Sequence, residues 1–471
     1  MFELHHLSAR EQGDWLRRGE ISPTELATHY LDRIDRLNGS LGAFTTVTRD
    51  AALRRAAHVE SDLPRSLPLW GIPLGDKDLE GRAGARVTFG SRAFADHIAE
   101  ESDEGVLARD AAGAVSLGAT NAPEFGMPSY TESRVAPPAR NPYDLSLGAG
   151  GSSGGAAVAV AAGLLPVAPG SDGGGSIRIP AAATGLVGLK PSRGRVPSGS
   201  GFLSTAGLVV HGPIARSVGD AALLLDALIE GVPYPYATAA ASWDGGAYSN
   251  AALRGEGRYS VAVMTSSPWE SSYEITVSPS AAAALAVAVD ELAAIGHGLE
   301  DYALEPDDSY GSAFRTIWQA GAAGIPVEGE QLALLEPLTR WLVERGRELS
   351  ARDLAEALAT LTRFERSVIQ QFSRFDVVMT PALAMTPRPI GWYDSEDAER
   401  NFAQQCQYTP WTSFANVAGL PAITLPVHVT DDGLPMGVQL IGRPGAEHTL
   451  LSIGAQLERR IGWQKRHPSQ W

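Results

Sequence analysis

Residues 148–197 read GAGGSSGGAAVAVAAGLLPVAPGSDGGGSIRIPAAATGLVGLKPSRGRVP, and their order of glycine, serine and small apolar residues decides how the chain is folded. Gly173, Gly174 and Gly175 stand directly before a lone Ser176. Each glycine adds conformational entropy that folding must overcome. The run therefore implies an unusual backbone path, or N–H groups that must approach something closely. The alanine-rich run after Ser153 predicts a helix near 153–164, followed by short strands near 166–169 and 185–189.

Outward from this stretch the alternation continues. In ISPTELATHYLDRIDRLNG (21–39) Ser22 can N-cap, Pro23 takes the first helical position and Glu25 completes a capping box. Leu26, Tyr30, Ile34 and Leu37 form one apolar stripe, and Asn38-Gly39 ends the element. LGAFTTVT (41–48) reads as a strand, 49–61 as a helix, and WGIPLGDKDLEG (70–81) as a strand that delivers polar residues at its end. RNPYDLSLGA (140–149) reads as a loop. Further on, Ser217 caps a helix, a strand at 259–266 precedes a helix at 278–296, and 300–370 is mostly helical with Ser350 as a cap. FDVVMTPAL (375–383), PAITLPVHV (421–429) and MGVQLIG (436–442) return to strands before a helix at 446–461. Strands interleaved with helices, without a fixed-period repeat or low-complexity linker, predict an α/β layer fold.

Composition is that of a globular protein, 44% hydrophobic and 20% charged over 471 residues. Lys and Arg number 38 against 54 Asp and Glu, a net charge of −16 with no basic run, which argues against nucleic acid as a ligand. The single cysteine, Cys406, excludes an intrachain disulfide and a cysteine-based metal site. Ten histidines show no ligand spacing, so neither metal nor cofactor is expected. The N-terminus lacks an apolar signal core and the longest apolar stretch, 156–168, is too short to span a bilayer. A cytoplasmic protein without membrane contact is expected.

Phosphate loops are absent, because Ser153 stands where a third glycine after Gly148 and Gly150 would complete G-x-G-x-x-G. GGSSGG (150–155) contains G-x-S-x-G centred on Ser152 and again on Ser153, the pattern of a nucleophile elbow. Such an elbow follows a buried strand, whereas 140–149 reads as a loop. Its partners would be Asp376 with His428 or His448, and His428 sits in an apolar, strand-like run. A serine without a histidine needs another base, and a lysine made neutral by burial can serve. Lys77, ending the apolar strand GIPLGDK, is such a candidate, although a lysine at a strand end is commonplace. Cys406 lies between two glutamines with no positioned base and reads as a packed thiol.

These motifs together resemble one family, the amidase signature hydrolases. Residues 148–197 are similar to its long signature almost end to end. GIPLGDKD (71–78), GATNAPEFG (118–126), NPYDLS (141–146), GPIARSVGDAALLLD (212–226) and LPMGVQLIGRP (434–444) follow in the family's order and approximate spacing. Only about 225–375 lacks a recognisable motif. The resemblance implies the family's α/β fold, one large twisted mixed β-sheet flanked by helices on both faces, in a single domain over 1–471. Within it, 1–62 would be a helical arm, 63–225 the catalytic core, 226–375 a divergent, helical pocket region and 376–471 the return to the sheet.

Carried over residue by residue, Lys77 matches the family's catalytic lysine, Ser152 its bridging serine after a cis peptide bond, and Ser176 its nucleophile. Their separations, 75 and 24 residues, also fit. The N–H groups of Gly173, Gly174, Gly175 and Ser176 match the oxyanion hole. Ser153 is expected to support Lys77 or Ser152 by hydrogen bonding, and Asp172 and Arg178 to anchor the loop. Gly173 departs from the family's usual threonine or small apolar residue, and Ala119 and Ala156 from its usual lysine and serine. These departures bear on rate and substrate choice.

The resemblance implies hydrolysis of small-molecule amides, apolar or aryl, extending to carbamates, oligoamides and esters, by a monomer or homodimer. The alternative is the glutaminase subunit of a tRNA-dependent amidotransferase, although PEFG at 123–126 resembles stand-alone members. A binding-only scaffold is disfavoured by the intact Lys77, Ser152 and Ser176. Phe125, Met127, Tyr130, Trp318 and Trp341, with the loop of Trp392 and Tyr393, are candidate pocket residues by position and aromatic content. Core packing is the competing role for each.

Overall fold

A computed structural model describes residues 3–199, 204–241, 243 and 245–471. Among these the strands are, in chain order, β1 (Phe44–Val47), β2 (Pro73–Lys77), β3 (Val115–Thr120), β4 (Arg140–Asn141), β5 (Asp144–Gly148), β6 (Val167–Asp172), β7 (Val187–Lys190), β8 (Val210–Ala215), β9 (Ser260–Met264), β10 (Gly298–Tyr302), β11 (Val377–Pro381), β12 (Ala422–Val429) and β13 (Pro435–Gly442). Eight form one mixed sheet in the order β10-β9-β11-β13-β12-β7-β8-β6, and β1-β3-β2 form a smaller sheet of three. β10, β9 and β11 run parallel, and every later pair of the large sheet is antiparallel.

Successive side chains of a strand point to opposite faces, and here each face has its own core. Val261, Val377, Met379, Ile423 and Leu440 pack into one cluster with helices Gly154–Ala161, Val218–Ile229, Pro279–Ile295 and Glu447–Ile461. Ala262, Val378, Ala422 and Ile441 pack into a second with helices Tyr310–Ala323, Pro337–Glu348 and Ala351–Phe372. The expected mixed sheet with helices on both faces is therefore present. No helix of the described residues is long and apolar enough to cross a membrane.

Local chemistry explains where elements begin and where the sequence-based boundaries shift. Helix Pro23–Leu41 starts with the expected capping box of Ser22 and Glu25. It runs past Asn38-Gly39 to a left-handed Gly42, because the Asn38 side chain pairs with the Phe44 backbone instead of ending the helix. Residues 140–149 form the β4–β5 hairpin, not a loop, with Asn141 Oδ1 accepting the Tyr143 N–H to close its turn. β10 was hidden at the start of a region read as helical. It is a largely exposed edge strand whose Glu300 and Asp301 mask the apolar alternation. Helices Ala398–Tyr408 and Ser413–Val417 interrupt the C-terminal return to the sheet.

Candidate active site

β2 ends at Lys77, whose side chain is 1% exposed. Its Nζ lies 2.8 Å from Ser152 Oγ, 2.9 Å from Ser171 Oγ and 3.3 Å from Ser171 O. Burial pushes the Lys77 ammonium down to about 7, against the raising influence of Glu80 and Asp172. Ser152 follows a cis Gly151–Ser152 peptide just before helix Gly154–Ala161. Lys190 is also buried and also lowered to about 7, by burial and then by Arg178, but its Nζ donates to Pro191 O. Depression alone does not single out Lys77; its hydroxyl partners do.

The segment 173–176 leaves the end of β6 and is held from below by a buried ion pair. Arg178 is fully buried and donates through Nε and Nη2 to the two oxygens of Asp172, both at 2.9 Å. Its remaining reach goes to Thr412 O, Gln439 Oε1 and Asn416 Oδ1. Burial would raise the Asp172 carboxyl, but Arg178 holds it well below the usual carboxylate range. Asp172 in turn accepts the N–H groups of Gly175 at 2.7 Å and Ile177 at 3.2 Å. The Gly175 N–H, expected among the oxyanion donors, is thus engaged within the protein. Gly173, Gly174 and Ser176 keep that candidacy. Ser153 also departs from expectation: its N–H donates to Ser176 O and its hydroxyl to Ser171 O, not to Lys77 or Ser152.

Ser152 and Ser176 border one cavity of about 400 Å³, together with Ser171, Gly173, Phe125, Met127 and Trp318. A second cavity of about 50 Å³ adjoins Ser176 and Gly174, between Trp269, Phe314, Trp318 and Phe402. Of the seven expected pocket residues, Phe125, Met127 and Trp318 line the site. Tyr130 does not: its ring stacks on Tyr393 and its hydroxyl accepts from Asn401. Trp341 is half-buried and packs toward Phe402 against the core, and Trp392 and Tyr393 meet in a T-shaped pair.

Ser171, Glu80 and His211 also border the large cavity and were missed. Ser171 sits directly opposite His211 across the β6–β8 ladder, a pairing that only the sheet register reveals. Phe314 was within reach of sequence reasoning, since it lies one helical turn before Trp318 on helix Tyr310–Ala323.

This geometry, an α/β sheet with a buried lysine–serine pair beside a second serine on a glycine loop, defines a hydrolase-type site. The chain matches the family model Amidase over residues 25–451 and belongs to the amidase signature family. It is 38% identical over 473 residues to a Mycobacterium tuberculosis protein named "Putative amidase AmiB2", covering 99% of each chain. Its structure resembles that of 6-aminohexanoate cyclic dimer hydrolase with a TM-score of 0.90 and 31% identity, over 99% of this chain and 100% of that one. It also resembles a bacterial aryl acylamidase of the amidase signature family with a TM-score of 0.84 and 27% identity, over 98% of each. The protein is an amidohydrolase.

Proposed function

We propose that this enzyme works alone on apolar or aryl amides, forming an acyl-enzyme at Ser176 with Ser152 and Lys77 as its proton relay. The observation that carries this reading is the buried 2.8 Å contact between Lys77 Nζ and Ser152 Oγ on the cavity that Ser176 borders. A neutral amine has two N–H groups and one lone pair. In the neutral form Ser171 O and Ser171 Oγ take the two N–H groups, which leaves the lone pair to receive the proton of the Ser152 hydroxyl 2.8 Å away. As Ser176 Oγ attacks the amide carbon, its proton passes to Ser152 and that of Ser152 to Lys77.

The developing oxyanion is held by N–H groups of the glycine loop, drawn from Gly173, Gly174 and Ser176. Such preorganised donors contribute about 3–4 kcal/mol each in other hydrolases. The relay then returns a proton to the amine as the C–N bond breaks. Water repeats the sequence on the ester. Asp172 and Arg178 fix the loop, and Ser153 ties Ser176 O to the start of its own helix. Apolar walls such as Phe125, Met127 and Trp318 favour aryl and aliphatic amides, and esters and carbamates with better leaving groups fall within the same chemistry.

The purified chain is assayed on an anilide, a primary aliphatic amide, a carbamate, an ester and glutamine. Turnover of the anilide and the apolar amide is expected, with Ser176→Ala and Ser152→Ala each reducing it about 1,000-fold or more. Turnover of glutamine alone, and only with partner subunits added, would replace this reading with that of an amidotransferase subunit.

A further inference from the structure

Ser176 borders two cavities, and only the larger of them contains Ser152. Met127 and Trp318, like Ser176, border both. Resting on the relay proposed above, we infer that the large cavity receives the leaving amine and the small aromatic slot receives the acyl group. The enzyme then selects short apolar acyl groups carried on bulky amines.

The direction follows from the path of the proton. In acylation the Ser176 Oγ–carbon bond forms, the carbon–nitrogen bond breaks, and the amine nitrogen takes the proton that Ser176 gave up. That proton returns through Ser152, so the nitrogen and its substituent lie on the Ser152 side, in the cavity of about 400 Å³. The acyl substituent leaves the carbonyl carbon on the other side, toward Gly174 and the slot.

Size and surface then set what fits. At about 50 Å³ against about 400 Å³, the slot has room for a much smaller part of the substrate than the large cavity has. Its walls include the rings of Trp269, Phe314, Trp318 and Phe402 and the side chain of Ile179, beside Cys406, Thr409 and Ser413. Two of the polar side chains around it bond within the protein: Trp269 Nε1 donates to Ser413 Oγ, and Gln405 accepts from the Ser129 N–H and donates to Asn401 Oδ1.

The wild-type chain is tested with two series of anilides. In the first the amine is aniline and the acyl group is acetyl, butyryl or octanoyl. In the second the acyl group is acetyl and the amine is aniline, 4-butylaniline or 2-aminonaphthalene. We expect kcat/KM to fall about tenfold or more from acetyl to octanoyl, and to stay within about threefold or rise along the amine series. Octanoyl anilide outpacing acetanilide, with bulky amines rejected, overturns the inference while leaving the proposed function standing. Phe402→Leu and, independently, Phe314→Leu widen the slot and are expected to raise the octanoyl-to-acetyl ratio about fivefold. An unchanged ratio in both folded variants also overturns it. If no anilide is cleaved, or Ser176→Ala keeps full activity, the proposed function itself fails and the inference falls with it.

Discussion

Lys77 and Lys190 share burial and a depressed pKa, yet only Lys77 has hydroxyls for partners. If the neutral amine is the base, kcat/KM rises with pH, flattens above about 7, and falls about tenfold per unit below it. A rate still fully retained at pH 5 would contradict that role. The same group makes a stability statement. Its folded pKa of about 7 lies below the ordinary 10.5, so between these values the unfolded chain binds more protons. The contribution of Lys77 to stability therefore rises with pH across that window and is least favourable below it. Lys77→Met is expected to abolish turnover while matching or exceeding the wild-type thermal midpoint at pH 6, with the advantage shrinking toward pH 10. A midpoint well below wild type at pH 6 would show that the Ser152 and Ser171 contacts outweigh the burial of the ammonium. Sequence alone reached Lys77 as a strand-end lysine, but not Ser171, because nothing local says that β6 runs beside β2.

At the scale of the element, the three glycines before Ser176 separate into different roles. Gly175 has φ +135°, and a Cβ there would lie 2.6 Å from Thr412 Oγ1 and from Ile179 Cδ1. Gly175→Ala is expected to destabilise by about 1–3 kcal/mol and to remove most activity, read by calorimetry and kcat. Gly173 has no such backbone demand. A Cβ there would stand 3.0 Å from Val209 Cγ2 and 3.4 Å from the Trp318 ring, so its bareness leaves room for a residue that borders both cavities. Gly173→Ala should displace Trp318 slightly, raising KM about three- to tenfold with kcat within about threefold. A collapse of kcat as deep as that of Gly175→Ala would mean that Gly173 serves the loop rather than the pocket.

The sequence pointed to close backbone approach in this element, and the closeness is present. It could not show that the Gly175 N–H is taken by Asp172, since that contact depends on the Arg178 pair and its anchors on 412–416 and β13. Phe402, Gln405 and Cys406 were illegible as pocket residues for a related reason. They share one face of helix Ala398–Tyr408, which the polar run around them concealed.

Over the whole molecule, the large sheet is the common wall of two cores. Its α/β character was readable because strand and helix periods alternate along the chain. The division into two faces was not, since an isolated run such as FDVVMTPAL is apolar at nearly every position and looks the same from either side. In the folded chain Val378 joins the core of helices 310–323 and 351–372, whereas its neighbour Met379 joins the core of helices 218–229 and 279–295. Both side chains are at most 1% exposed, so Val378→Ala and Met379→Ala each open a cavity and are expected to destabilise by about 1–5 kcal/mol. Because both belong to β11, loss of either packing loosens the strand that carries the other. The two substitutions should therefore lower the same calorimetric transition, and a second, unshifted transition should not emerge in either variant. Two resolved transitions, one moved only by Val378→Ala and the other only by Met379→Ala, would instead make the two faces independent cooperative units.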